Sequence, residues 1–348
     1  MTPDQTQSVL SAIPIPLVWI GRDQRIKALN SRAEALLGGV VIGRHHVTVM
    51  RQPAVLACIE AAFETGFLQS CEYAIRDAAR DSIYRVTASP LTAGEDGVML
   101  GYEDIGLLQA ADEMRRDFVA NVSHELRSPL TAMLGFIETL SGPARDDAAA
   151  RDRFLGIMKT EASRMNRLVQ DLLSLSRVEA NERQQPKTTV DLNDCLQRAV
   201  STLERQAKEA GVQLNLPGAA QPMTVQGDAD QLLQVLTNLI ENAIKYGGRE
   251  VSVTISEIAR DPTLRDAAVM IEVADDGPGI DPLHIPRLTE RFYRIDAHRS
   301  RDLGGTGLGL AIVKHIVNRH RGKLRIESAP GQGARFIVIL PQGKSDPG

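Results

Sequence analysis

The sequence predicts an α+β multidomain protein: a small α/β module, an antiparallel helical hairpin and a C-terminal α/β sandwich. Three observations carry this reading. Short β-rich runs dominate as far as Asp104, a helical apolar period holds from Ala111 to Leu175, and helices and strands alternate again after the polar linker Arg183 to Thr189. A chain of 348 residues is long enough for about two to three domains, each burying its own core.

The first domain, residues 1–108, is read from strands at Pro16 to Ile20, Arg25 to Leu29, Ser82 to Ser89 and Gly97 to Glu103. Turn residues Gly21-Arg22-Asp23 and Gly94-Glu95-Asp96-Gly97 bound them. Short helices at Ser31 to Leu37 and Pro53 to Thr65 lie between the early and late strands. In the second domain, residues 109–183, Met114, Phe118, Val122, Leu126, Leu130, Met133, Ile137 and Leu140 fall at spacings of three and four, as on one amphipathic helix. Ser141-Gly142-Pro143 breaks it, and Phe154, Ile157, Met158, Met165, Leu168, Leu172 and Leu175 repeat the pattern. Such a hairpin cannot hide its own stripe, so a homodimer forming a four-helix bundle is expected. The third domain, residues 190–343, has helices near Leu192 to Ala210, Asp228 to Tyr246 and Gly309 to Arg319. Its strands lie near Val251 to Ser256, Val269 to Ala274, Lys323 to Glu327 and Arg335 to Leu340.

Composition excludes several classes. Apolar residues make up 43% and charged residues 24%, which is ordinary globular material. The net charge of −4 argues against nucleic acid as a partner. Cys58, Cys71 and Cys195 show neither CxxC spacing nor a nearby histidine cluster, so no disulfide framework or structural zinc is expected and a cytoplasmic compartment fits. Met1 to Ala12 lacks the features of a secretory signal, and Ile13 to Ile20, interrupted by Pro14 and Pro16, is too short for a membrane span.

Four segments carry candidate chemistry. On the first hairpin helix His124 falls opposite the line through Phe118, Val122 and Leu126, with Glu125 beside it and Ser128 one turn later on the same face. Pro129 removes a helical hydrogen bond and predicts a bend there. An outward imidazole oriented by a carboxylate is a nucleophile; an ordinary surface histidine is the other reading. Asn238, Glu241, Asn242 and Lys245 share a polar strip suited to magnesium and phosphate, or simply to solvent, and Tyr246 follows where its ring could stack on a base. Asp275-Asp276-Gly277-Pro278-Gly279 places a carboxylate at a strand end, where it could accept a bond from an exocyclic amine or form an acidic turn. Leu303 to Leu310, with Gly305, Thr306, Gly307, Leu308 and Gly309, leads into a helix and offers N–H groups to a phosphate. It lacks the preceding strand of a dinucleotide fingerprint and the lysine of a P-loop.

Together and in this order, these segments resemble the sensor histidine kinases of two-component systems. Phe118 to Thr131 is similar to the family's H-box, Asn238 to Tyr246 to its N-box, Asp275 to Ile280 to the first glycine box, Glu290-Arg291-Phe292-Tyr293-Arg294 to the F-box, Gly304 to Leu310 to the second glycine box and Gly331-Gln332-Gly333 to the last. The resemblance covers about Glu113 to Pro341. It implies a C-terminal domain of the histidine kinase/Hsp90-like ATPase type that binds ATP and Mg2+. On that resemblance Asn242 holds the metal with Asn238 beside it, Lys245 lies near the phosphates, Tyr246 lines the base pocket, Asp275 meets the adenine amine, Gly277 and Gly279 belong to the first glycine box, and Gly305, Thr306, Gly307, Leu308 and Gly309 belong to a lid. It further implies phosphorylation of His124, with Glu125 as orienting base, and transfer to an aspartate of a response regulator. Arg115 to Phe118 and Gly135 to Leu140 are similar to the phosphate-regulon sensor kinases, which implies a role in phosphate-starvation signalling. The first domain resembles a PAS module, with Asn30 at a position where that fold often has asparagine. Ser128 stands where many relatives have threonine or asparagine for phosphatase chemistry, and Ala334 replaces the usual threonine. A non-kinase ATPase of the same nucleotide fold and a silent regulatory scaffold are the alternatives.

Overall fold

The computed structural model describes residues 3–39, 41–77, 80–91, 96–182, 184–216, 222–259, 261, 267–296 and 305–342. Expectations resting on Gly94, Glu95, Arg183, Leu303, Gly304 and Gly343 fall outside these residues. The chain divides into two compact units, Met1–Ala120 and Asn121–Gly348.

In the first unit helix α1 (Pro3–Ala12) precedes strands β1 (Leu17–Gly21) and β2 (Ile26–Leu29). Helices α2 (Ser31–Leu37), α3 (His46–Val49) and α4 (Pro53–Thr65) follow, and then strands β3 (Gln69–Asp77), β4 (Arg80–Leu91) and β5 (Gly97–Asp104). The five strands form one antiparallel sheet in the order β2-β1-β5-β4-β3. Alternation along β1 sends Val18 and Ile20 into a core with Val55 and Ile59 of α4, while Leu17 and Trp19 pack with Leu10 of α1. Asn30 joins these parts. Its buried Oδ1 accepts the N–H groups of Leu17 and Ala33, capping α2, and its Nδ2 donates to the carbonyls of Leu10 and Ile15.

Helix α5 (Gly106–Ser141) carries the chain into the second unit with Pro129 inside it. Helix α6 (Ala148–Ala180) starts at Asp147, whose side chain accepts the Ala150 N–H. Leu168, Leu175 and Val178 of α6 are buried, but Leu130, Leu134, Ile137, Leu155, Val169 and Leu173 of the hairpin stay exposed. After β6 (Thr188–Asp191) come α7 (Leu192–Ala210), β7 (Gln213–Asn215), β8 (Thr224–Gly227), α8 (Ala229–Tyr246), β9 (Glu250–Ile258) and β10 (Ala268–Asp275). Helix α9 (Gly309–Arg319) and strands β11 (Lys323–Ser328) and β12 (Ala334–Pro341) complete the unit. The second sheet runs β11-β12-β10-β9-β7, antiparallel except for the β7–β9 pair, and β6 pairs separately with β8. Val251 and Val253 of β9 and Val269, Ile271 and Val273 of β10 are buried, and α8 packs against both strands, α7 and α9. Helix α9 also packs against α6, which makes the hairpin and the sandwich one unit.

His320, just beyond α9, is buried in the form of a neutral imidazole. Its Nδ1 donates to the Ile316 carbonyl at 2.8 Å, and its Nε2 accepts the Asp228 N–H at 3.0 Å at the start of α8. Burial pushes its pKa below the ordinary 6.5. The unfolded chain therefore binds a proton first, and the stability present above about pH 6.5 is lost as the pH falls toward the folded-state value. Thermal melts should show this unit losing stability on acidification below about pH 6.5. His320→Gln should flatten that dependence, and identical acid profiles for the two chains would refute the assignment.

Candidate active site

A cavity of about 590 Å3, within the ordinary range for small-molecule sites, opens between α8, the loop after β10, the segment before α9 and one side of α6. Helix α8 supplies its wall because Leu232, Val235, Leu236, Leu239 and Ala243 anchor one face in the core, leaving Asn238, Glu241, Asn242 and Lys245 toward the cavity. Tyr246 lines it from the last helical residue. Asn238 donates its Nδ2 to the Gly309 carbonyl at 3.3 Å, tying α8 to the first turn of α9 and leaving its amide oxygen as an acceptor. Glu241 takes the Lys245 ammonium at 2.7 Å, so Lys245 reaches the cavity already paired.

Asp275 ends β10. Its Oδ1 accepts the N–H groups of Gly277 at 3.0 Å and Ala334 at 3.3 Å. Burial pushes the carboxyl above the usual carboxylate range against the pull of those two N–H groups. Gly279 and Gly307 line the cavity with φ near +71° and +73°. A Cβ at Gly307 would sit 2.9 Å from Phe292 Cα, so only glycine lets this segment close on the wall. The Gly307 carbonyl in turn accepts the Phe292 N–H at 2.8 Å. Gly305, Thr306 and Gly309 also line the cavity.

Two expected ligand residues lie elsewhere. Leu308 is fully buried in the core because its backbone N–H turns back onto Thr306 Oγ1, so its side chain anchors the loop. Gly277 lies behind the wall, where its carbonyl accepts the Gly333 N–H.

The contribution from α6 has no local signature in the sequence. Arg167 and Asp171 line the same cavity, and Asp171 Oδ2 accepts the Thr306 hydroxyl at 2.7 Å. Burial pushes the Asp171 carboxyl up. Tyr293, also on the wall, is fixed by His284 Nδ1 at 2.6 Å from its hydroxyl and by the Arg287 guanidinium 4.3 Å over its ring. Arg294 is buried and lines the cavity, and its Nε has no partner among the described residues.

His124 and Ser128 are exposed on α5, and Ser128 Oγ donates to the His124 carbonyl at 3.3 Å. Glu125 is partly buried instead. Its Oε2 accepts from Arg164 of α6 at 2.8 Å and from Arg294 at 3.2 Å. The expected orienting base is thus engaged by two guanidinium groups in this arrangement.

The amide oxygens of Asn238 and Asn242 beside a carboxylate are hard oxygen donors, which fits a hydrated magnesium ion. Glycines that admit no Cβ and a buried guanidinium with a spare N–H fit a polyphosphate. Fold and cavity together define an α/β domain with a small-molecule site, seated on a helical hairpin. Residues 114–181 match the His Kinase A (phospho-acceptor) domain family. Residues 227–344 match the histidine kinase-, DNA gyrase B-, and HSP90-like ATPase family. A sensor protein kinase WalK from Staphylococcus aureus is 33% identical over 344 residues, covering 96% of this chain and 80% of that protein. The phosphate regulon sensor protein PhoR of Pseudomonas aeruginosa is 41% identical over 234 residues, 67% of this chain and 51% of that protein. WalK of Staphylococcus saprophyticus is 33% identical over 346 residues, 96% of this chain and 54% of that protein. The chain therefore spans about half the length of the latter two relatives. The solved structure of histidine kinase ThkA in complex with response regulator protein TrrA shares the fold, with a TM-score of 0.51 at 22% identity over 96% of this chain and 98% of that one. The chain belongs to the sensor histidine kinases of two-component systems. Among the described residues no helix is long and apolar enough to cross a membrane.

Proposed function

We propose that the chain is an ATP-dependent protein histidine kinase that phosphorylates itself on His124 and passes the phosphoryl group to an aspartate of a response regulator. The observation that carries this is an exposed imidazole on the hairpin in the same compact unit as the nucleotide cavity. Asp275 accepts the adenine amine, Tyr246 lines the base site, and the segment Gly305 to Gly309 turns N–H groups and the start of α9 toward the phosphates. Asn242, with Asn238 beside it, holds Mg2+, which when bound neutralises charge developing on the phosphoryl oxygens. His124 attacks the terminal phosphorus in line, forming the N–P bond as the bond to the leaving ADP oxygen breaks, and Glu125 orients the ring once released from Arg294. The test is incubation with γ-labelled ATP and Mg2+: label that is lost in acid and kept in base identifies phosphohistidine. ThkA was crystallised with a response regulator, which supports a partner of that class. The likeness to PhoR supports a place in phosphate-starvation signalling, and the antiparallel sheet with helices α2 to α4 inserted after β2 supports a PAS-like sensor.

Leu130, Leu134, Ile137, Leu155 and Leu173, each 47 to 55% exposed, give the hairpin an apolar face that a second copy covers. The purified chain is expected to be a homodimer through this face. A monomer at micromolar concentration by light scattering would refute it.

Phosphatase activity toward the regulator is assigned to Ser128. Its proton is spent on the His124 carbonyl, but its lone pairs remain to hold a water. Serine lacks the β-methyl that restricts χ1, so that water is less firmly held than by threonine. Ser128→Thr should dephosphorylate the regulator faster, by a few-fold, and Ser128→Ala more slowly, with autophosphorylation nearly unchanged in both. Equal dephosphorylation by all three chains would remove the hydroxyl from the mechanism.

A further inference from the structure

His315 lies on α9, outside the nucleotide cavity, with both ring nitrogens facing carboxylates at the end of α6. Nδ1 is 3.4 Å from Glu182 Oε2, and Nε2 is 3.5 Å from Glu179 Oε1. A neutral imidazole has one N–H and one lone pair, so it can donate to only one of these carboxylates and must present its lone pair to the other. The imidazolium donates to both. Imidazole is also the side chain whose charge ordinarily changes between about pH 5 and 8.

We propose that His315 is a proton-operated latch: the imidazolium clamps α9 to the C-terminal turn of α6, and loss of the proton frees the nucleotide-binding domain from the hairpin. The charged groups around it are consistent with this. Glu179 also accepts from Arg291, which precedes the cavity segment, so Glu182 has the greater need of the second donor. On His315's own helix Lys314 donates to Thr289, and Arg319 is turned to Asp228 and the Gln184 carbonyl. Arg321 lines an open cleft of about 730 Å3 with Glu179, Glu182 and Asn318. That cleft gives water, and hence protons, access to the cluster.

The latch closes over contacts that idle the site. While α9 is held on α6, Thr306 is bonded to Asp171 and Arg294 to Glu125. Acidification therefore favours the docked arrangement and slows phosphorylation; this consequence rests on the kinase reading, whereas the latch does not.

The experiment reads docking directly. Spin labels are placed in the full chain at exposed Ser163 of α6 and exposed Glu204 of α7, and their separation is measured at about pH 6 and about pH 8. A single short distance is expected at the lower pH and a broader, longer distribution at the higher. His315→Gln should give the broad distribution at both, His315→Arg the short one at both, and Glu182→Gln a reduced response. Autophosphorylation of the wild type should rise between the two conditions by at least about fivefold more than that of His315→Gln, which keeps only the pH dependence of the phosphoryl-accepting imidazole itself. A pH-independent distance in the wild type, or the same pH response in His315→Gln with its fold verified by circular dichroism, overturns the latch. Distances that respond as expected in a chain that never becomes phosphorylated uphold the latch and overturn the kinase reading.

Discussion

A His124→Gln chain should bind ATP as the wild type does and carry no phosphoryl label. The side chain is exposed, so the exchange removes no packing, and a stability change within about 0.5 kcal/mol is expected. The cavity that binds ATP is built from α8, the loops around Asp275 and Gly307, and α6, none of which includes His124. Glutamine keeps the length and polarity of the side chain but has no imidazole nitrogen to form the N–P bond, so acid-labile label falls to background. Asn242→Ala provides the contrast. It removes an oxygen donor from the cavity wall, so Mg-ATP binding and labelling are lost together. Nucleotide titration and a γ-label assay on both variants distinguish the steps. Persistent acid-labile label on His124→Gln would place the nucleophile elsewhere.

The parts of this protein that were legible from sequence are those written in local periodicity. Helices α2 and α4 lie at Ser31–Leu37 and Pro53–Thr65 as their apolar spacing and turn residues indicated. The long hairpin helices announced themselves in the same way. Strand β3 did not, because its alternating Cys71, Tyr73 and Ile75 are interleaved with Glu72 and Arg76 and end at Asp77, the charged pattern of a sheet edge. Strand β7 has three residues and exists only because β9 offers it a parallel partner, a contact no local window contains.

The site divides along the same line. The strip Asn238, Glu241, Asn242 and Lys245 followed from helical spacing, and so, with more care, would the Glu241–Lys245 pair at i and i+4. The link from Thr306 to Asp171 spans 135 residues and that from Arg294 to Glu125 spans 169, so neither left a local trace. Leu308 shows the limit of a loop motif. The glycines around it define a path for the backbone, but which way the intervening side chain turns depends on the core beneath, and there it is buried.

Gly279→Ala should dismantle the nucleotide cavity, although it adds one carbon. The residue holds φ near +71°, a conformation that costs an L-residue about 1 to 2 kcal/mol. Its new Cβ would also fall 1.9 Å from the Ala329 carbonyl oxygen, a backbone atom that cannot turn aside. The loop it would have to push is stitched in place. Gly331 N–H donates to the Pro278 carbonyl at 2.7 Å, Gly333 N–H to the Gly277 carbonyl at 3.1 Å, and Ile280 N–H to Ser328 Oγ at 2.8 Å. Moving either strand of this pair breaks those bonds and carries Asp275 away from the Gly277 and Ala334 N–H groups that hold it. Overpacking of this kind costs about 1 to 3 kcal/mol, so with the backbone term the loss is about 2 to 5 kcal/mol, a fall in melting temperature of several degrees, with ATP affinity lost through the displaced Asp275. Gly156→Ala is the matched control. That glycine lies inside α6 with open space where its Cβ would stand, so alanine there should be neutral or stabilising by up to about 1 kcal/mol. Melting curves and ATP titration calorimetry on the two variants decide it: a Gly279→Ala chain that melts and binds ATP like the Gly156→Ala chain would show that the two glycine loops are not what holds the cavity open.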